Sequence, residues 1–199
     1  VVSLRGKTIY TTGQGANPEY ILDNLLTQNG IDPDKDVDIQ FMTPQEVTAV
    51  AVAQGPGSFT GVRIGVAAAK GFAWGGELPC YGVSTLEAMA RNLGAYQGYV
   101  VPAMDARRNQ VYTAIFHADK GVLSRVEEDM AISLAELGEK IKIFAQPVFL
   151  VGDGALLCYN TLLEEVPGLV LPPEHRIHQR AAGVALAAQA AADAGFAFV

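Results

Sequence analysis

The sequence predicts an α/β fold. Strand-like and helical segments alternate along the chain, the order hairpin, helix, strand, glycine turn, helix occurs twice, and half of the 199 residues are apolar against 18% charged. Alternation of this kind lays helices against a sheet. So apolar a chain buries enough surface to offset the entropy of ordering, which rules out disorder for the chain as a whole. Its length leaves room for one large core or two small lobes.

The first β-favouring runs, Val1 to Leu4 and Thr8 to Thr11, are split by Arg5-Gly6-Lys7 and predict a hairpin. Ile21, Leu22, Leu25 and Leu26 then recur at helical spacing behind Pro18-Glu19, so a short amphipathic helix follows over 18–28. The Asp-rich stretch from Ile31 to Asp38 lacks the sixth-position Gly and terminal Glu of an EF-hand, and reads as a solvated loop. Residues 47–53 are almost continuously apolar, as for a strand covered on both faces. Gly55-Pro56-Gly57 stops that strand and Ser58 is a good N-cap for an apolar helix over 59–74. A strand over 78–83 and a helix from Thr85 to Asn92 complete the first series.

The second series opens with strands at Tyr99 to Met104 and Val111 to Phe116, joined through Asp105-Ala106-Arg107-Arg108 as a hairpin, with a further strand over 122–126. Ser133 opens a helix reaching Phe144, and the buried strand Val148 to Val151 ends at Gly152-Asp153-Gly154. Nine of the fourteen residues from Ala181 to Ala194 are Ala, which predicts a slim helix that packs closely on a neighbour.

Charge and cysteine content narrow the function. Acidic side chains outnumber basic ones by 21 to 14, and neither half is basic: residues 1–104 hold 6 basic and 9 acidic side chains, residues 105–199 hold 8 and 12. Affinity for phosphates comes from Lys and Arg displacing counterions, so any link to nucleic acid is expected to be indirect. No apolar run reaches the roughly 18 residues of a membrane span. Cys80 and Cys158, the only cysteines, offer neither a disulfide framework nor a CxxC site, and a reducing compartment fits best. Nothing at the start of the sequence argues for export, and the start at Val1 and the apolar end at Val199 read as lacking the natural termini.

The densest motif runs from Gly55 to Gly65. One reading is an anion site made by the amides around Gly57, the hydroxyls of Ser58 and Thr60 and the cation of Arg63. The other is packing, since Gly61, Gly65, Ala69 and Ala73 recur at i, i+4 and form a shallow ridge for a neighbouring helix. Two glycines on one helical face favour the ridge, because each costs about 1 kcal/mol relative to Ala. The segment matches neither a Walker A loop nor a G-x-S-x-G elbow, and Gly13-Gln14-Gly15 lacks the rest of a dinucleotide fingerprint. His117, His175 and His178 show no metal-binding pair, so no metal site is assigned. Asp105, Arg107 and Arg108 read equally as a functional group, a catalytic acid or an anion clamp, or as a structural turn.

Gly55-Pro56-Gly57-Ser58-Phe59-Thr60-Gly61-Val62-Arg63-Ile64-Gly65, joined to Asp105-Ala106-Arg107-Arg108, Val111-Tyr112, the Gly82 to Leu86 turn and Gly152-Asp153-Gly154, resembles the bacterial TsaB (YeaZ) family. The resemblance implies a two-lobed actin- and Hsp70-like (ASKHA, ribonuclease H-like) fold. On that fold residues 1–98 and 175–199 would form one lobe and residues 99–174 the other. It implies a cytoplasmic, non-catalytic subunit that supports the catalytic subunit TsaD, with the ATPase TsaE, in making threonylcarbamoyladenosine on tRNA. Contact with tRNA would come only through the complex, and the chain would form a homodimer in isolation. The partner-binding surface would include Ser58, Phe59, Thr60, Gly61, Val62, Gly65, Ala69 and Ala73, with Leu22 and Leu25 of the first helix beside it. Gly57, Arg63, Asp105, Arg107, Arg108, Gly152 and Gly154 would face any anion or nucleotide, with ATP bound weakly or only in the complex. A glycoprotease-like peptidase and an ATP-binding regulatory switch are the alternatives. The family's opening strand and its Asp-Thr-Ser element would precede Val1, its last segment would follow Val199, and the His often found near Gly15 to Glu19 is missing.

Overall fold

A computed structural model describes residues 8–11, 17–28, 30–41 and 47–196, which divide into two compact units, residues 1–48 and 49–199. In the first unit β1 (Thr8–Thr11) pairs in parallel with β2 (Asp38–Phe41), and α1 (Asn17–Gln28) lies between them in sequence. The second arm of the expected opening hairpin, Val1 to Leu4, lies outside the described residues, and the partner of β1 is the unanticipated β2. Leu26, Ile31 and Val37 form the small core, with Ile9, Leu22 and Ile39 packed on it. The Asp-rich loop closes on itself: Asp32 accepts from the Asp34 amide and from Lys35 Nζ at 2.8 Å, and Asp36 accepts from the Asp32 amide.

The second unit opens with β3 (Val50–Gly55), α2 (Phe59–Gly75), β4 (Cys80–Ser84) and α3 (Thr85–Ala90), the last extended by a 3-10 turn over Arg91–Leu93. Strand β3 pairs in parallel with β4. The expectation of a strand covered on both faces is corrected: Ala51 and Gln54 are exposed and the other residues half-buried, so the elements packed on this two-stranded sheet leave its side chains incompletely covered. Apolar continuity records tolerance of burial on both faces, not that both are covered.

The larger sheet has the order β7-β6-β5-β8-β9, built from β5 (Gly98–Arg107), β6 (Gln110–Asp119), β7 (Val122–Ser133), β8 (Val148–Val151) and β9 (Leu169–Val170). Strands β5, β6 and β7 are antiparallel, whereas β8 and β9 continue the sheet in parallel beside β5. Side chains alternate between faces along a strand. Val101, Ala103, Val111 and Ile115 therefore pack under α4 (Leu134–Ile141) and α5 (Ala155–Leu162), and Val100, Ala114, Phe116 and Ala118 pack under α3. Helix α4 ends at Ile141, three residues short of the expected Phe144.

Serine caps mark three of the helix starts. Ser84 Oγ accepts from the Leu86 and Glu87 amides, and Ser133 forms a reciprocal capping box with Glu136. After the short α6 (Glu174–Ile177), α7 (Ala181–Asp193) packs on α3, β3 and β4, with Ala187 and Ala188 buried against Val83. The close packing predicted from its alanine content is met there.

Candidate functional site

Helix α2 presents one buried residue, Ala73, and a broad open face. Phe59, Ile64, Phe72 and Trp74 are 71%, 66%, 51% and 86% exposed. Ser58 caps the helix by accepting from the Gly61 amide at 3.4 Å, and Thr60 is exposed beside it. The Arg63 guanidinium lies 3.9 Å from the centroid of the Phe59 ring, so the cation of the proposed anion site rests on an aromatic face. A Cβ at Gly65 or Gly71 would meet nothing within 4 Å.

The i, i+4 ridge is divided by helical geometry. Each four-residue step advances about 40° round the axis, so the row drifts about 120° from first to last. Gly61 and Gly65 consequently face outward, Ala69 is half-buried and Ala73 lies inside the fold. Val62 is half-buried, its side chain 3.1 Å from the place a Cβ on Gly57 would take. The open surface follows Gly61, Gly65 and Phe72 with Ile64, and Trp74 is the side chain the sequence reading missed. Its signal was available as the lone Trp of the chain near a helix end. Towards that end Ala67, Lys70, Gly71, Ala73, Trp74, Leu78 and Cys80 line an apolar hollow of about 600 Å3. In the first unit, Leu22 packs on the core while Leu25 is exposed.

At the end of the larger sheet, Asp105 Oδ1 accepts from the Arg107 amide at 2.7 Å. Arg107, Arg108 and Asn109 all have positive φ and form the tip joining β5 to β6. Gly152 and Gly154 lie nearby, but their amides donate to Ile177 and Ala103 carbonyls at 2.7 and 3.0 Å. At Gly152, with φ of 103°, a Cβ would fall 2.2 Å from the Ala103 carbonyl oxygen, so close contact with β5 demands glycine there. The amides expected to face an anion are thus engaged in holding the loop on the sheet. Cys158 lies beneath, its thiol pushed up to about 12, chiefly by burial and secondarily by the Asp105 charge.

A polar cleft of about 570 Å3 lies between α3, β7 and α7 and includes Ser84, Glu87, Arg91, Arg125 and Asp129. Arg125 donates to Asp129 at 2.7 Å and to Glu87 at 3.1 Å, and Arg91 holds the other Glu87 oxygen at 2.7 Å. Ser84 Oγ donates to the second Asp129 oxygen at 2.5 Å, and Arg125 stacks 4.7 Å from the Phe116 centroid. Burial works against the Arg125 charge, but Asp129 and Glu87 outweigh it and raise the guanidinium above its ordinary range. Every carboxylate oxygen of Glu87 and Asp129 is engaged, so the cluster ties β7 to the start of α3. Among the described residues no group of three or more His, Cys, Asp or Glu is arranged to hold a metal, and no helix is long and apolar enough to cross a membrane.

The family model described as TsaD: tRNA N6-adenosine threonylcarbamoyltransferase matches residues 38–195. The chain is 41% identical over 127 residues to the tRNA threonylcarbamoyladenosine biosynthesis protein TsaB of Bacillus subtilis, a match covering 64% of this chain and 55% of that protein. It is 44% identical over 94 residues to the protein of the same name from Escherichia coli, covering 46% and 41%. The chain thus spans about half the length of the curated relatives it matches. Among solved structures, YeaZ from Pseudomonas aeruginosa superimposes with a TM-score of 0.60 at 23% identity, covering 91% of this chain and 78% of that one. A crystal structure of an uncharacterized protein with similarity to peptidase YeaZ from the same organism gives 0.59 at 22%, covering 90% and 77%. The fold is the actin-like, ASKHA type expected from the sequence. With the GPGSFTGVRIG helix and the DARR hairpin in place, the chain belongs to the TsaB (YeaZ) family.

Proposed function

We propose that this chain is a cytoplasmic, non-catalytic subunit that binds and supports a TsaD-type threonylcarbamoyltransferase in threonylcarbamoyladenosine modification of tRNA. The observation that carries the reading is the open face of α2, where Phe59, Ile64, Phe72 and Trp74 surround glycines that leave the backbone approachable. A large exposed apolar patch marks an interaction surface, and small residues within it allow another helix to come close. The same patch serves a homodimer in isolation, because a two-fold contact uses one surface twice. Leu25, exposed on α1 of the first unit, is a further partner-contact residue in this reading. A TsaE-type ATPase joins the assembly, tRNA is reached within the complex, and ATP binds weakly or only there. The names of the relatives support the pathway.

Gly65→Leu tests the reading without disturbing the fold, because the added side chain enters open space. The variant is expected to keep its thermal transition while losing co-purification with a TsaD-type partner and the associated threonylcarbamoyl transfer. Unchanged pull-down and unchanged size-exclusion behaviour would sink the α2 assignment. Peptide cleavage by the purified chain that disappears on Ser58→Ala would replace it with a peptidase.

A further inference from the structure

We propose that the tip of the β5–β6 hairpin, Arg107-Arg108-Asn109, is a contact site for the phosphodiester backbone of RNA. The choice of RNA rests on the proposed function; the existence of a built anionic contact rests on the tip itself. In a chain with an acidic excess, the structure pairs its cations with carboxylates repeatedly, as in Lys35–Asp32, Arg91–Glu87, Arg125–Asp129 and Lys140–Glu127. Arg107 and Arg108 are adjacent and exposed, and among the described residues no carboxylate lies within ion-pair distance of either. Asp105, two residues away, uses its carboxylate on the Arg107 amide and not on a guanidinium.

The backbone gives a second, independent argument. Arg107, Arg108 and Asn109 have φ of 66°, 53° and 57°, a run in the left-handed region where side chains other than those of Gly and Asn are disfavoured. The neighbouring hairpin of the same sheet makes its two-residue turn with Lys120-Gly121, placing Gly at the second position. At the β5–β6 tip Asn109 takes that second position and Arg108 the first, as Lys120 does, so the additional left-handed residue is Arg107, at the register shift where β5 leaves its pairing with β6. The run is held from both sides: Asp105 accepts the Arg107 amide, and the Asn109 carbonyl accepts the Leu134 amide at 3.1 Å. Strain maintained by such contacts is characteristic of functional sites. Guanidinium forks match phosphate oxygens in geometry as well as charge, and Tyr112, 40% exposed two residues beyond Gln110, adds an aromatic surface near the tip.

The test uses the wild-type chain assembled with a TsaD-type partner and an unmodified tRNA transcript, with binding titrated at several salt concentrations. Arg107→Gln with Arg108→Gln, and separately Arg108→Gly, are compared with Lys120→Gln at the other hairpin tip. The double variant should weaken binding roughly tenfold at moderate salt, and each lost arginine should lower the slope of log K against log salt by roughly 0.7–0.9. Arg108→Gly should raise the melting temperature while weakening RNA binding, a combination that a merely structural turn would not produce. Unchanged slopes, an equal loss with Lys120→Gln, or a loss confined to association with the protein partner would overturn the proposal. Should the wild-type chain fail to assemble with the partner, the proposed function falls. The same slopes, measured on the chain alone at low salt, then decide the tip by the same criteria.

Discussion

A Cβ placed on Gly183 would lie 2.1 Å from the carbonyl oxygen of Ala88, so helices α7 and α3 touch backbone to backbone at this point. The adjoining contacts tie the same corner: Asn92 Nδ2 donates to the His178 carbonyl at 2.9 Å, and Arg176 donates to the Asn92 carbonyl. Gly183→Ala should therefore force the helices apart and destabilise the chain by about 1–3 kcal/mol, the usual cost of overpacking. Chemical denaturation of the two proteins side by side measures it, and a neutral result would contradict the backbone contact.

The glycines of α2 should behave in the opposite way. Gly65 and Gly71 sit in a helix with open space around them, and each should gain about 0.5–1 kcal/mol on replacement by Ala. Thermal melts of the isolated chain provide the measurement. A stabilised monomer that binds its partner less well would separate the intrinsic preference of the helix from the requirement of the interface.

Removing Arg125 should be costly despite its partial exposure. Its loss leaves Glu87 without one of its two arginines and Asp129 without its closest cation, and strips the cover from Phe116. Hydrogen bonds to charged groups contribute about 1.5–3 kcal/mol, reduced here because the partners are not fully desolvated. Arg125→Ala is thus expected to lose about 1–2 kcal/mol. Faster amide exchange in β7 and at the start of α3 would locate that loss.

The Ser133–Glu136 capping box predicts an acid response. The Ser133 amide and hydroxyl hold the Glu136 carboxyl below its ordinary range. A carboxyl depressed in the folded state stabilises it above the unfolded value, about 4.3, and loses that contribution as pH falls through the folded one. The stability difference between the native chain and Glu136→Gln should accordingly be present at neutral pH and collapse in acid. A difference that is constant with pH would deny the carboxylate its role.

Cys158 is expected to be chemically quiet. With its thiol pushed up to about 12 and its side chain fully covered, it holds almost no thiolate at neutral pH. The raised value favours the folded state fully below the unfolded thiol's value, about 8.5, and that advantage is lost as pH rises towards 12. Mass spectrometry after brief alkylation at pH 8 should show Cys158 unmodified in the native chain and modified after denaturation.

What the sequence determined by itself is local. Ser58, Ser84 and Ser133 announced helix starts because an N-cap bond reaches only two or three residues ahead, and alanine content announced α7 because propensity belongs to the segment. The GPGSFTGVRIG segment was legible for the same reason. Tertiary structure alone decided which side of α2 stays open, since a four-residue repeat drifts round the axis and carried Ala73 inward while Gly65 stayed out. It also decided that the Gly152 and Gly154 amides are consumed by Ile177 and Ala103, and that Arg125 reaches Glu87 across 38 residues of chain. Sequence period marks a face as available for burial; only the folding of distant segments supplies, or withholds, the atoms that cover it.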